Sequence, residues 1–205
     1  MIDSALRDSG ISSVGMARTD DLYRLPADLP VPVDDGACDH LVGMRVPPIA
    51  LGSTSGRVVR LSDLPGRTVV YCYHRTGEPD RDPPPGWNEI PGARGCTPQS
   101  CGFRDHYGEL RNLGVAVFGL STQTTDYQRE MTERLHIPFE ILTDAELNLV
   151  HALRLPTFSI QGMTLVKRLT IFILDGVIEH VLYPVFPPDR SAEEAVKWLN
   201  QRAHG

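Results

Sequence analysis

Two cysteines, Cys96 and Cys101, stand five residues apart in GARGCTPQSCGFRDHY (92–107). Thiols at such a spacing either exchange electrons with each other or are an incidental loop thiol beside a core cysteine. The two-residue gap of a thioredoxin-type redox pair is absent. Cys96, Cys101 and His106, in the order C-x4-C-x4-H, also lack the spacing of a zinc knuckle. No metal and no cofactor is expected.

The pattern after the pair says where each thiol sits. Phe103, Tyr107 and Leu110 fall at i, i+4 and i+7, one face of a helix that Gly114 ends. Cys96 precedes that pattern and so occupies the first helical turn, where unpaired N–H groups and the helix dipole favour an anion by about 0.3 to 1 kcal/mol, up to about 2 when partly buried. Full activation of a thiolate there needs a cation as well. Five helical residues separate two Cα atoms by roughly 8 to 9 Å, whereas a disulfide spans about 4.4 to 6.8 Å. A bond between Cys96 and Cys101 therefore requires the first turns of the helix to unwind.

Around this pair the elements alternate. RVPPIALGSTSGRVVRLSDLPGRTVVYCYH reads as a hairpin feeding a buried strand over Thr68 to Tyr73. VAVFGLS (115–121) is a second buried strand, Tyr127, Met131 and Leu135 mark an amphipathic helix, FEIL a strand and DAELNLVHAL a third helix. LTIFIL and VIEHVLYPV are joined by Asp-Gly, a strong hairpin signal. The final helix, DRSAEEAVKWLNQ, has Asp189 and Ser191 as N-cap candidates. Such an order implies an α/β, thioredoxin-like fold, a mixed central sheet flanked by helices. Residues 1–42, with Pro26, Pro30 and Pro32 and little periodicity, read as a partly irregular N-terminal extension to a domain spanning 43–205. Residues 76–95 hold five prolines and four glycines and form an insertion between the central strand and Cys96. Long structureless segments inside a domain are usually functional or mobile, and this one, which carries Trp87, reads as a lid.

With 205 residues, 41% hydrophobic and 22% charged, the chain has the mix of a globular enzyme. The formal charge of -6 excludes a phosphate-tracking surface, and nucleic acid with it. No apolar run reaches the roughly eighteen residues of a membrane span, and Asp3 and Asp8 stand where a signal peptide would be basic. The expected address is the cytoplasm, where thiols are kept reduced and a disulfide reads as transient and catalytic.

GCTPQSCGFRDHYGELRNLGVAVFGLST resembles the Q-type, bacterioferritin-comigratory group of peroxiredoxins. VGMRVPPIAL, LSDLPGRTVVYCY, IPFEILTD and RLTIFILDGVIEHV match its landmarks in order, from about Leu41 to Leu199. The resemblance implies a thiol peroxidase. Cys96 would reduce hydrogen peroxide or an organic hydroperoxide and become a sulfenic acid; Cys101 would resolve it as an intramolecular disulfide. A thioredoxin- or glutaredoxin-type reductant would recycle the pair, in a monomer or homodimer. Arg168, in KRLTIFIL, matches the family arginine that holds thiolate and peroxide, and Lys167 alternates to the other face.

One departure stands out. The family pattern expects threonine three and proline seven residues before the first cysteine, and here Ala93 and Glu89 occupy those positions. Thr76, just past the central strand, supplies the hydroxyl if 76–95 is an insertion, with His74 in the usual region of the proline; Thr97 is the alternative. Cys72 reads as core. Cys38, in DDGACDHL, reads as a flexible surface thiol, with an alternative resolving or intermolecular role also open. Two other function classes remain, a non-enzymatic redox sensor and a thiol-disulfide oxidoreductase; the spacing disfavours the second.

Overall fold

The computed structural model describes residues 21–203. Its main sheet has seven strands. β1 (Leu51–Ser53) and β2 (Val58–Val59) form the predicted first hairpin; β3 (Arg67–Cys72), β4 (Ala116–Ser121) and β5 (Ile141–Thr143) run parallel; β8 (Leu169–Leu174) and β9 (Val177–Leu182) close the sheet antiparallel, in the order β2-β1-β5-β4-β3-β8-β9. Between them, β6 (Thr157–Ile160) and β7 (Met163–Val166) make a separate two-stranded hairpin.

Strand β3 is buried on both faces, which explains its unbroken apolar run. Val70 and Cys72 face one core with Leu41 and with Leu149, Val150 and Leu153 of helix α4 (Asn148–Leu153). Val69, Tyr71 and Tyr73 face the other, against helices α1 (Cys96–Asp105), α2 (Tyr107–Asn112), α3 (Thr125–Leu135) and α5 (Ser191–Ala203). Three layers result, with β3 at the centre.

The helix expected across 103–113 is two helices, interrupted at His106. Hydrogen bonds continue through the break, from His106 N to Gly102 O (3.0 Å) and from Leu110 N to His106 O (3.1 Å). It is therefore a kink, and Phe103 and Leu110 both stay buried. Both late hairpins turn on two residues with positive φ, Asp175-Gly176 (47° and 77°) and Gln161-Gly162 (48° and 76°); such turns match the twist of the flanking strands.

Residues 21–42 are irregular, yet they pack. Gly92 N donates to Pro30 O at 3.2 Å, and Leu41 is fully buried. Cys38 corrects the expectation of a surface thiol: it is 6% exposed, and burial, followed by the charges of Asp35, Asp34 and Asp39, pushes it up to about 12. The acidic flanks that suggested solvent belong to a turn whose carboxylates point outward while the thiol joins the core. In segment 76–95, Trp87 is buried in a small cluster with Ala93 and Leu165. Its ring lies edge-on to His74 (centroids 6.3 Å apart) and tilted against Phe158 (6.1 Å).

Candidate active site

Helix α1 begins at Cys96 because Gly95 turns the chain into it. Gly95 has φ 100°, and a Cβ there would fall 2.3 Å from Pro188 Cγ and 2.8 Å from Leu25 Cδ2. Only glycine fits both the backbone and the space. The start of α1 is then fixed from the side: Phe103 stacks on Tyr71 of β3 (centroids 4.3 Å, planes 8° apart), and Tyr71 Oη donates to Ser100 Oγ at 3.3 Å.

The Cys96 sulfur, in a residue only 3% exposed, meets two N–H donors. Arg75 N, just past β3, donates at 3.4 Å, and Arg168 Nη2, on the link from β7 to β8, donates at 3.4 Å. Arg168 is itself 3% exposed and brings a charge that forms no ion pair with a carboxylate among the described residues. Its guanidinium is held by the side chain of Gln99, which accepts from Nη1, and by the carbonyls of Arg94 (3.0 Å) and Gly92 (3.3 Å), both on Nη2. Gln99 is held in turn, Nε2 donating to Ser191 Oγ at 3.4 Å. Positive charge and oriented N–H groups around a buried sulfur are what a nucleophilic thiolate needs.

Thr76 is fully buried and lines the same pocket as Cys96, with Thr97 and Ala93. Its hydroxyl has no hydrogen-bond partner among the described residues. Its backbone is anchored instead: N donates to Gln123 Oε1 (3.3 Å) and O accepts from Tyr127 Oη (2.8 Å). A buried hydroxyl without a partner costs about 1 to 3 kcal/mol, an expense relieved when a polar ligand enters.

The redoxin family model matches residues 41–197, and over 159 residues the chain is 30% identical to peroxiredoxin Q, chloroplastic, of Sedum lineare, covering 77% of this chain and 76% of that protein. The chain is a Q-type peroxiredoxin of the redoxin family. It is also 29% identical to peroxiredoxin Bcp of Escherichia coli (strain K12) over 166 residues, 78% of this chain and 96% of that one. Among solved structures, peroxidoxin BcpB from Mycobacterium tuberculosis superposes with a TM-score of 0.63 at 24% identity, covering 78% of this chain and 96% of its own, and shows the same fold. As a peroxiredoxin, the protein is a peroxidase, an antioxidant oxidoreductase with a thioredoxin-like fold.

In this peroxiredoxin, Cys96 and Thr76 line one pocket, Arg168 meets the Cys96 sulfur from outside its lining, and Cys101 stands apart from all three. Cys101 is half-buried further along the intact α1, with its thiol raised by burial. Cys72 is in the core as expected. Lys167, on the opposite side of the chain from Arg168, pairs with Asp35 at 2.9 Å. Gln99 escaped the sequence reading, which places His74 in the region of the family proline and gives it no role of its own. Gln99 carries a legible signal, a polar side chain three residues after Cys96 on a turn that must pack inward. His74 contacts Val166 O through Nδ1 (2.7 Å) and Gly92 O through Nε2 (2.9 Å), tying the segment before Cys96 to the end of β7. Burial, and after it the Arg168 charge, hold its ring neutral down to about 3. Among the described residues, no helix is long and apolar enough to cross a membrane.

Proposed function

We propose that Cys96 is the peroxide-reducing thiol and Cys101 the thiol that resolves it. The observation that carries this reading is the pair of donors, Arg168 Nη2 and Arg75 N, each 3.4 Å from a buried sulfur at the start of a helix. The Cys96 thiolate attacks one peroxide oxygen and the O–O bond breaks. The bonding pair leaves with the second oxygen, which takes a proton and departs as water or an alcohol. Arg168 and the Arg75 N–H face the charge that passes from sulfur to oxygen. The free Thr76 hydroxyl has the burial and position to hydrogen-bond the incoming peroxide, the work that the family pattern gives to a threonine three residues before the cysteine.

Cys96 is then a sulfenic acid; the Cys101 thiol attacks its sulfur, the S–O bond breaks, and the departing hydroxyl takes the thiol proton and leaves as water, forming a disulfide. Because both thiols sit on α1, that step needs local unwinding of residues 96–101. A thioredoxin- or glutaredoxin-type dithiol supplies two electrons and two protons to restore both thiols, without metal or cofactor, in a cytoplasmic monomer or homodimer.

The test is a pair of substitutions. Cys96→Ser should consume no hydrogen peroxide, whereas Cys101→Ser should consume about one equivalent in a single turnover and then stop. Folded Cys101→Ser that is as inert as Cys96→Ser in that first turnover would remove Cys96 from its assigned role.

A further inference from the structure

Arg168 lines a second cavity, of about 290 Å³, that shares no residue with the thiol pocket. Its walls come from the segment before residue 41, with Val31 and Val33, from Phe158 of β6 and from Val185 just past β9, and its surface is mostly apolar. Val31 and Val33 are 60% and 82% exposed, so they form the rim. Two valines held open to water at the edge of an apolar hollow would be covered by an apolar guest.

The charge at this cavity is one-sided. Among the described residues no aspartate or glutamate lines it. Lys167, on its wall, is answered by Asp35 at 2.9 Å, a carboxylate that also accepts from Tyr183 Oη at 2.9 Å. His74 is held neutral down to about 3 by burial and then by the Arg168 charge. Arg168 is left unanswered: Nη1 and Nη2 go to Gln99, to two carbonyls and to the Cys96 sulfur, and Nε has no partner among the described residues. A guanidinium N–H that lacks an acceptor, on the wall of an apolar hollow of ligand size, suits a carboxylate carried on an apolar body. A neutral amide or alcohol would satisfy the N–H and leave the charge.

We propose that this cavity binds a small monocarboxylic acid, its carboxylate on Arg168 Nε and its apolar tail against Val33, Phe158 and Val185, and that the bound acid slows peroxide reduction by offsetting the arginine's charge at the Cys96 sulfur. Binding rests on the cavity alone, whereas the effect on rate rests on Cys96 as the reacting thiol. The probe is octanoate, with octanamide as its neutral counterpart, titrated calorimetrically into the full reduced chain. Octanoate should bind about tenfold more tightly, because its acceptor is charged. Val33→Glu puts a negative charge on the exposed rim, away from the thiol; it should weaken octanoate at least about fivefold, keep octanamide within about twofold, and leave peroxide reduction without ligand unchanged. Saturating octanoate should slow the single turnover of wild type with hydrogen peroxide by about threefold or more, part of the roughly 10- to 150-fold that loss of the arginine donor would cost. Equal affinity for octanoate and octanamide, or octanoate binding that Val33→Glu does not weaken, overturns the site. Tight octanoate binding with an unchanged peroxide rate overturns its effect on the thiol. A wild type inert toward peroxide without ligand overturns the reading of Cys96 and leaves the binding titrations to decide the site.

Discussion

Replacing Arg168 by methionine removes a charged donor from the Cys96 sulfur and, at the same time, deprives three acceptors of their donor: Gln99 Oε1, Arg94 O and Gly92 O. These losses fall on different quantities. The contact to sulfur is a hydrogen bond from a charged group, about 1.5 to 3 kcal/mol, and it faces charge that moves during the reaction. Its loss lowers the rate of the peroxide step by roughly 10- to 150-fold. The abandoned acceptors act on folding instead, at about 1 to 3 kcal/mol for each that stays buried without a partner. Gln99→Leu separates the two effects, because it withdraws one acceptor from the guanidinium and leaves the sulfur contact in place; its rate should fall by about tenfold or less. The assay is rapid mixing of reduced enzyme with limiting hydrogen peroxide, following peroxide loss, with thermal unfolding measured on the same samples. An Arg168→Met protein that is folded and within about threefold of the wild-type rate would refute a catalytic role for the arginine.

Unwinding of α1 drags on the adjoining 76–95 segment, so Trp87, packed against His74 and Phe158, should change its fluorescence on oxidation. Trp87→Phe should remove that change, while Trp198→Phe should not, since Trp198 stacks on His180 in another part of the core (4.7 Å, 4°); a signal carried wholly by Trp198 would leave the lid unsupported. His74 sets a pH dependence of stability. The native ring refuses a proton down to about 3, whereas the unfolded chain accepts one at its ordinary 6.5. Stability from this group is thus complete above 6.5 and falls by about 1.4 kcal/mol per pH unit as the pH drops toward 3. Urea titrations at a series of acidic pH values should show His74→Asn with a slope shallower by about one proton, and identical slopes would contradict a buried neutral ring.

Much of the scaffold is legible in the chain because its signals are local. The apolar run of β3 and the Asp-Gly turn each fix an element without reference to the rest, and the apolar spacing after Cys101 puts Cys96 in a helix's first turn. What escapes depends on contacts between distant segments. The β6–β7 hairpin turns on Gln-Gly, a dipeptide outside the common turn set, and shows its role only when both residues take positive φ. The kink at His106 carries no proline to announce it. Cys38 sits in a stretch whose composition is that of a solvated turn, and its burial comes from packing on a core that the stretch does not encode. At the site, Cys96 is marked by its place at the helix start and Arg168 by its likeness to the family, but Gln99 and His74 act through carbonyls and side chains brought in from other elements.

The segment before residue 41 has a consequence for how the enzyme is handled. The family match begins at residue 41, yet Leu22, Arg24 and Leu25 line the thiol pocket and Pro30 bonds to Gly92, whose carbonyl also serves Arg168. A recombinant fragment trimmed to the family boundary would keep every strand and helix among the described residues while losing one wall of the chamber in which the sulfur reacts. Its active site would be more open and wetter, and its core would lack Cys38. Rates measured on it would describe a different enzyme.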